Sequence, residues 1–169
     1  RLSLFIFVIE LVVFVLSPLR LPTDSRWSVH TALSFARGHG GDLSEFLPIL
    51  EQEKFYAIEY RDGSPRSRYP IGPSLLAAPV VAVLAIARPN WANELSTKIP
   101  ARTEQFIASL VGATTGVIFF WIIFSRFESI WIGLASTAIL AFGTSIWSTA
   151  TRALWQHGPL VLMLSIAML

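Results

Sequence analysis

The run from Gln105 to Phe124 carries no charged side chain, and it reaches the roughly 17 to 25 residues that an apolar helix needs to cross a bilayer. Ser109, Gly112, Ala113 and Gly116 recur along it at spacings that let helices approach closely. Comparable apolar runs cover about residues 2–18, 74–88 and 130–147, and another, 159–169, is still apolar where the chain stops. With 53% hydrophobic and 14% charged residues, the composition is too apolar for an ordinary soluble domain. The expected fold class is therefore all-α: a multi-spanning helical membrane bundle whose large first outer loop, residues 19–73, carries short amphipathic surface helices and a small hairpin. Because the chain opens on Arg1 and stops within an apolar run, residues 1–169 read as the amino-terminal part of one transmembrane domain. The opening run also has the basic start of a signal peptide, but Ser17 to Pro22 lacks the small-x-small cleavage pattern. A retained helix is expected.

A formal net charge of +2 calls for no nucleic-acid partner, since juxtamembrane Arg and Lys give integral proteins this bias. Lack of cysteine removes disulfides, thiolate metal sites and thiol nucleophiles. Trp91, Trp121, Trp131, Trp147 and Trp155 mostly fall near the ends of the expected spans, where interfacial anchoring places such rings. Arg1, Arg88, Lys98, Arg102 and Arg152 sit in the segments assigned to one side, so the positive-inside rule puts those in the cytoplasm and residues 19–73 outside. The expected location is thus integral and multi-pass, in a prokaryotic plasma membrane.

Glu10 lies in the middle of the first apolar run. An ionisable residue there is either functional or a packing contact with another helix. Past Pro18 and Pro22, Thr23 or Asp24 can cap a helix over about Ser25 to Arg37, with Trp27, Thr31, Ser34 and Phe35 near one face and Gly38-His-Gly-Gly as its stop. Asp42 to Lys54 predicts a second short surface helix. Phe55 to Arg68 reads as a hairpin on the Arg61-Asp-Gly-Ser turn. Tyr69-Pro-Ile-Gly-Pro then holds the chain extended before the helix beginning near Ser74. His30, His39 and His157 are too scattered to mark a metal site, and surface or interface positions are expected for all three.

No glycine-rich phosphate loop, Gly-x-Ser-x-Gly elbow or His-Glu-x-x-His motif occurs. The combination that stands out is Asp24 just past the first helix, a helix ending in glycines, the Tyr-x-x-x-Tyr-Arg-Asp-Gly hairpin, and Ser-Arg-Tyr-Pro-Ile-Gly-Pro-Ser-Leu-Leu-Ala-Ala-Pro opening the next helix. This resembles the amino-terminal part of the polyprenyl-phosphate-dependent membrane glycosyltransferases of the GT-C fold, the class of the protein O-mannosyltransferases and aminoarabinose transferases. The resemblance implies that Asp24 is the base or orienting carboxylate for the acceptor, although the family's usual Asp-Glu pair is Asp24-Ser25 here. Arg68-Tyr-Pro-Ile-Gly resembles the family's element at the cavity mouth, and Arg102 the arginine that opens the third helix. Where many relatives read Ala-Arg and later Asp-x-Pro, this chain has Thr151-Arg152 and then Gln156-His157-Gly158-Pro159. The loss of that second Asp leaves acceptor and divalent metal open. The resemblance also implies that His157 lies near the outer site, which five simple spans do not allow. A tilted or re-entrant segment, Ser74 to Ala87 above all, would reconcile the two.

Transfer from a lipid-linked sugar phosphate needs a base for the acceptor and cations for the departing phosphate. Asp24 is the expected base, and Arg68 with Arg26 or Arg66 the expected phosphate ligands, because guanidinium pairs bidentately with phosphate oxygens. Tyr69, Arg102 and His157 complete the expected substrate contacts. The partners so implied are membrane lipid and a polyprenyl-phosphate-linked sugar. Against this stands a plainer reading, with Asp24 a helix cap and the arginines touching head groups. The competing function is a non-enzymatic membrane subunit or transporter fragment packed in a larger complex.

Overall fold

A computed structural model describes residues 1–19, 24–54 and 56–169. The expected cap Thr23, the proline stop at Pro22 and the first hairpin residue, Phe55, lie outside the described residues. The chain is mostly helical, with 70% of it in helix and little sheet. It divides into two compact units, one formed by residues 1–20 and 104–169 and the other by residues 21–103.

The first, helical unit contains α1 (Leu2–Leu16), most of α6 (Ala101–Phe127), α7 (Ile130–Gly143) and α8 (His157–Met168). Helix α6 alone among the described residues is long and apolar enough to cross a membrane. At 27 residues and 1.5 Å per residue it extends about 40 Å. Helices α1, α7 and α8 are apolar but shorter. The expected span to residue 147 breaks at Gly143, because Thr144 turns extended and its Oγ1 donates to Leu140 O at 2.6 Å while accepting from Ile146 N at 3.2 Å. A side chain serving both neighbours in this way competes with helix propagation. A five-residue π-helical turn, Ile146–Ala150, follows.

Small residues let these helices meet. A Cβ at Gly112 would run into the γ-methyl of Thr151 and the ring of Phe14, and one at Gly116 would overlap the Glu10 carboxylate. Glu10 is therefore packed against α6 of its own chain, which supplies the neighbouring helix that the packing alternative required. Phe14, Ala113, Ala141 and Ile146 form the core of the unit. Its buried polar groups are tied mainly to backbone: Gln105 Nε2 donates to Phe14 O and Ser17 O at 3.3 and 2.9 Å, and Leu154 N donates to Glu104 Oε1 at 2.8 Å. The outer surface stays apolar, with Leu4, Leu16, Trp131, Ile139 and Met168 exposed.

The second, hairpin unit holds α2 (Ser28–Ala36), a 3-10 turn (Ser44–Phe46), α3 (Leu47–Glu53), β1 (Ile58–Arg61), β2 (Ser64–Ser67), α4 (Gly72–Ala87) and α5 (Pro89–Glu94). The expected surface helix is α2, but it is not on the surface. Trp27 and every residue from Val29 to Ser34 are buried, because α4 packs along it and presents Ser74, Ala77 and Val81 as a narrow buried stripe. His30, expected at a surface or interface, is fully buried between Trp27 and Phe46, with ring centroids at 4.6 and 4.9 Å. His39 and His157 are exposed, as expected. The helix ends as the glycines suggest: His39 N donates to Ser34 O and Gly38 N to Phe35 O, with Gly38 at φ 80°, the paired bonds of a Schellman stop. The second expected helix is split into the 3-10 turn and α3, since Pro48 fits only a first helical turn.

The hairpin pairs Glu59 with Arg66 and Arg61 with Ser64. Its turn residues Asp62 and Gly63 sit at φ 52° and 81°, as a type I′ turn demands. Asp42 anchors this hairpin by accepting from Ser44 N, Ser44 Oγ and Ser64 Oγ at 2.8, 2.6 and 2.8 Å. The Ser44 bonds, ahead of that from Ser64, hold the Asp42 carboxyl below its ordinary range.

Candidate functional site

A period of two along the hairpin puts Glu59 and Arg61 of β1 on the same face as Arg66 of β2 and Arg68 just past it. That face lines a groove of about 420 Å³ together with Gly40, Gly41, Tyr69 and Pro70. Glu59 is the only acid among the described residues that line the groove. It holds Arg61 at 2.5 Å and Arg68 at 3.5 Å, while Arg66 donates to Gly40 O at 2.9 Å. Three guanidinium groups against one carboxylate leave the groove positive. Only Arg66 of the three engages a neutral acceptor there, so its charge is not offset by the bond that orients it.

Tyr69 joins this groove to a second feature. Tyr56 Oη donates to Asp24 Oδ1 at 2.7 Å and lies 2.6 Å from Tyr69 Oη. Because the single hydroxyl proton of Tyr56 points to Asp24, Tyr69 is the donor in the second bond. The bond with Tyr56, then desolvation, then the hydrogen bond and charge of Asp24 push the Tyr69 phenol above its ordinary range. It therefore remains a proton donor at any ordinary pH. A hydrogen-bonded chain thus runs Tyr69 to Tyr56 to the Asp24 carboxylate.

Asp24 does not cap α2. The residue at the cap position is Trp27, and no side chain bonds there. The reason is local: Ser25 to Trp27 turn back through a Ser28 N to Ser25 O bond of 2.8 Å before the helix starts, which leaves the carboxylate too far upstream. Arg26 forms an ion pair with Glu53 and does not line the groove. Arg102 is exposed on the first turn of α6 and makes no hydrogen bond or ion pair among the described residues. His157 opens α8 in the helical unit, exposed, with its ring 6.5 Å from that of Trp155. The structure therefore gathers Arg66, Arg68 and Tyr69 at one groove and connects Asp24 to them through Tyr56. Arg26 is tied elsewhere.

The sequence alone assigns no role to Tyr56, Glu59 and Arg61. For Glu59 and Arg61 the signal was present, since the Asp-Gly turn fixes the register and the register fixes the shared face. Nothing in the spacing linked Tyr56 to Asp24, 32 positions away. Among the described residues no three His, Asp or Glu side chains gather as metal ligands. Comparison with protein families, curated proteins and solved structures finds no match to this chain.

Proposed function

We propose that the chain is part of a multi-pass membrane glycosyltransferase of the GT-C type, which moves a sugar from a polyprenyl-phosphate carrier to an acceptor on the outer face of the membrane. One observation carries this reading: the arginine-lined groove shares Tyr69 with the hydrogen-bonded chain that ends on Asp24. A phosphate site and a base then adjoin within one unit. In this reading α6 spans the membrane, α1, α4, α7 and α8 complete the multi-pass arrangement, and residues 19–73 face outward.

In the reaction the acceptor hydroxyl gives its proton to the Asp24 carboxylate and its oxygen forms a bond to the anomeric carbon. The bond from that carbon to the phosphate oxygen breaks, and its electron pair leaves with the phosphate. Arg66 and Arg68 hold the phosphate and offset the charge that develops on it. Arg61, braced by Glu59, sets the positive potential of the groove. Tyr56 orients the carboxylate by donating to its Oδ1.

The test is sugar transfer by the full-length protein in lipid nanodiscs, with polyprenyl-phosphate sugar as donor. Asn at position 24 can still accept from Tyr56 but takes no proton, so Asp24→Asn should lower turnover about 10²- to 10⁴-fold while insertion and folding stay normal. Arg68→Ala should raise the apparent KM for the donor more than it lowers kcat. Near-normal turnover in the Asn variant would make the carboxylate structural and favour a non-enzymatic membrane subunit.

A further inference from the structure

Glu59 stands directly opposite Arg66 in the hairpin register, the place where opposite charges ordinarily meet. Arg66 instead donates through Nη1 to Gly40 O at 2.9 Å, and the Glu59 carboxylate goes to the two flanking arginines. Its Oε1 lies 2.5 Å from Arg61 Nε and its Oε2 lies 3.5 Å from Arg68 Nε. Arg61 is two positions along β1 and Arg68 two positions beyond Arg66, so one carboxylate on that face reaches both. The backbone holds Arg68 there, since its N donates to Ala57 O at 2.8 Å. Both arginines are met at Nε. A guanidinium carries five N–H donors, so four are left at each Nη end, enough to meet two phosphate oxygens at once.

We infer that Glu59 is the positioning residue of the groove: its one carboxylate sets the spacing of Arg61 and Arg68 and leaves both Nη ends for the ligand's phosphate. Arg61 then serves as a phosphate ligand beside Arg68. The inference rests on the phosphate site of the sugar-transfer reading and names the residue that shapes it. The Glu59 side chain is 23% exposed, against 69% and 62% for Arg61 and Arg68, so the acid is the sheltered member and the arginines are the open ones. A single pair this open would order little, but one carboxylate shared by two guanidiniums is a network. Arg66 does not depend on it, because Gly40 O orients it and the Asp42 carboxylate attracts it. A positioning group and a mere countercharge predict opposite signs. Taking an acid from a cationic groove raises its attraction for anions, whereas freeing two long side chains leaves the ligand to order them.

Binding of methyl glucosyl phosphate, a soluble phosphodiester, to the full-length protein in lipid nanodiscs tests this, followed by phosphorus nuclear magnetic resonance. Glu59→Asp keeps the charge but withdraws the carboxylate by one methylene, and should weaken binding about tenfold. Glu59→Gln keeps the length but presents an acceptor to one arginine and an amide N–H to the other. It should weaken binding similarly in 1 M sodium chloride, where screening to about 3 Å mutes the change of charge. In both variants the apparent KM for the lipid-linked donor should rise while kcat holds, and amide exchange in the hairpin should be unchanged. Unchanged affinity in Glu59→Asp, or tighter binding by Glu59→Gln at 1 M salt, would make Glu59 a countercharge and overturn the inference while the phosphate site stands. Loss of hairpin amide protection in both variants would make Glu59 structural and overturn it too. If the native chain does not bind the probe, the site and the inference both fall. Near-normal turnover in Asp24→Asn, with the Glu59 shifts intact, would reject sugar transfer and still uphold Glu59.

Discussion

The five Arg or Lys ion pairs found among the described residues all fall in the hairpin unit, whereas the helical unit ties its buried Gln105, Ser109 and Glu104 to backbone groups. Their outer surfaces differ in the same sense. Leu16 and Trp131 of the helical unit are 78% and 80% exposed, while the hairpin unit turns Arg61, Arg66 and Arg68 to a groove. Exposed apolar side chains in this number need apolar surroundings, and ion pairs between flexible side chains need water to make their cost small. One chain of 169 residues thus follows two sets of rules, and a substitution should be judged by the unit in which it falls.

The largest effect should come from the core of the helical unit. Phe14 is fully buried against Ala113, Ala141 and Ile146, so Phe14→Ala should cost about 3 to 5 kcal/mol of stability, read from unfolding in mixed detergent. Leu16→Ala, two positions on and largely exposed, should stay within about 0.5 kcal/mol. Amide exchange in the hairpin should be unchanged by both. If the two substitutions cost the same, the contrast between inner and outer faces of α1 is wrong.

A smaller effect separates the units by pH. Burial, the largest cause, lowers the His30 pKa from 6.5 to about 4, outweighing the hydrogen bond to Leu95 O. Its folded-state value lies below its unfolded value, so the unfolded chain binds the extra proton first as pH falls. The stabilisation is fully present above about pH 6.5 and is lost progressively down to about pH 4, by about 3 kcal/mol. The Asp42 carboxyl, held below its ordinary range, shifts stability only in more acidic solution. Protection of the α2 amides should therefore fall between pH 7 and pH 4.5, and His30→Gln should flatten that fall. The core amides of α6 should not follow it. An α2 protection that is level with pH in the native chain would mean that His30 is not held neutral.

These contrasts were partly legible in the sequence. The Asp-Gly turn, the glycine stop after α2 and the apolar run of α6 are local signals, and local signals fix local structure. Long-range pairing decided the rest. Nothing near Ser28 reveals that α4 will cover it, so a helix with polar residues on several sides read as a surface helix although His30 is buried. Of the two possible caps, Thr23 and Asp24, Asp24 is ruled out locally by the turn at Ser25, whereas the partner its carboxylate has instead, Tyr56, lies far along the chain. At the candidate site the arginines of β2 and the chain just past it were readable from the turn and the two-residue period. The tyrosine chain was not, because it depends on how the loop around Asp24 meets the segment before β1.

The smallest effect tests the comparison most closely. Arg37 pairs with Glu45, joining the end of α2 to the 3-10 turn, with the two side chains 36% and 23% exposed. A pair this open is worth only about 0.2 to 1 kcal/mol, and salt should erode it because the screening length shrinks from about 10 Å at 0.1 M to about 3 Å at 1 M. Arg37→Ala should therefore destabilise the hairpin unit slightly at low salt and almost not at all in 1 M sodium chloride. Its salt response, not its size, is the informative quantity. Ser109→Ala removes a buried hydroxyl that donates to Gln105 O at 2.8 Å, at a cost of about 0.5 to 1.5 kcal/mol, and that cost should be the same at both salt concentrations. Amide exchange on the two variants, each at low and high salt, gives the comparison directly. A salt-dependent loss at Ser109, or a salt-independent one at Arg37, would mean that the two units are not held together by different forces.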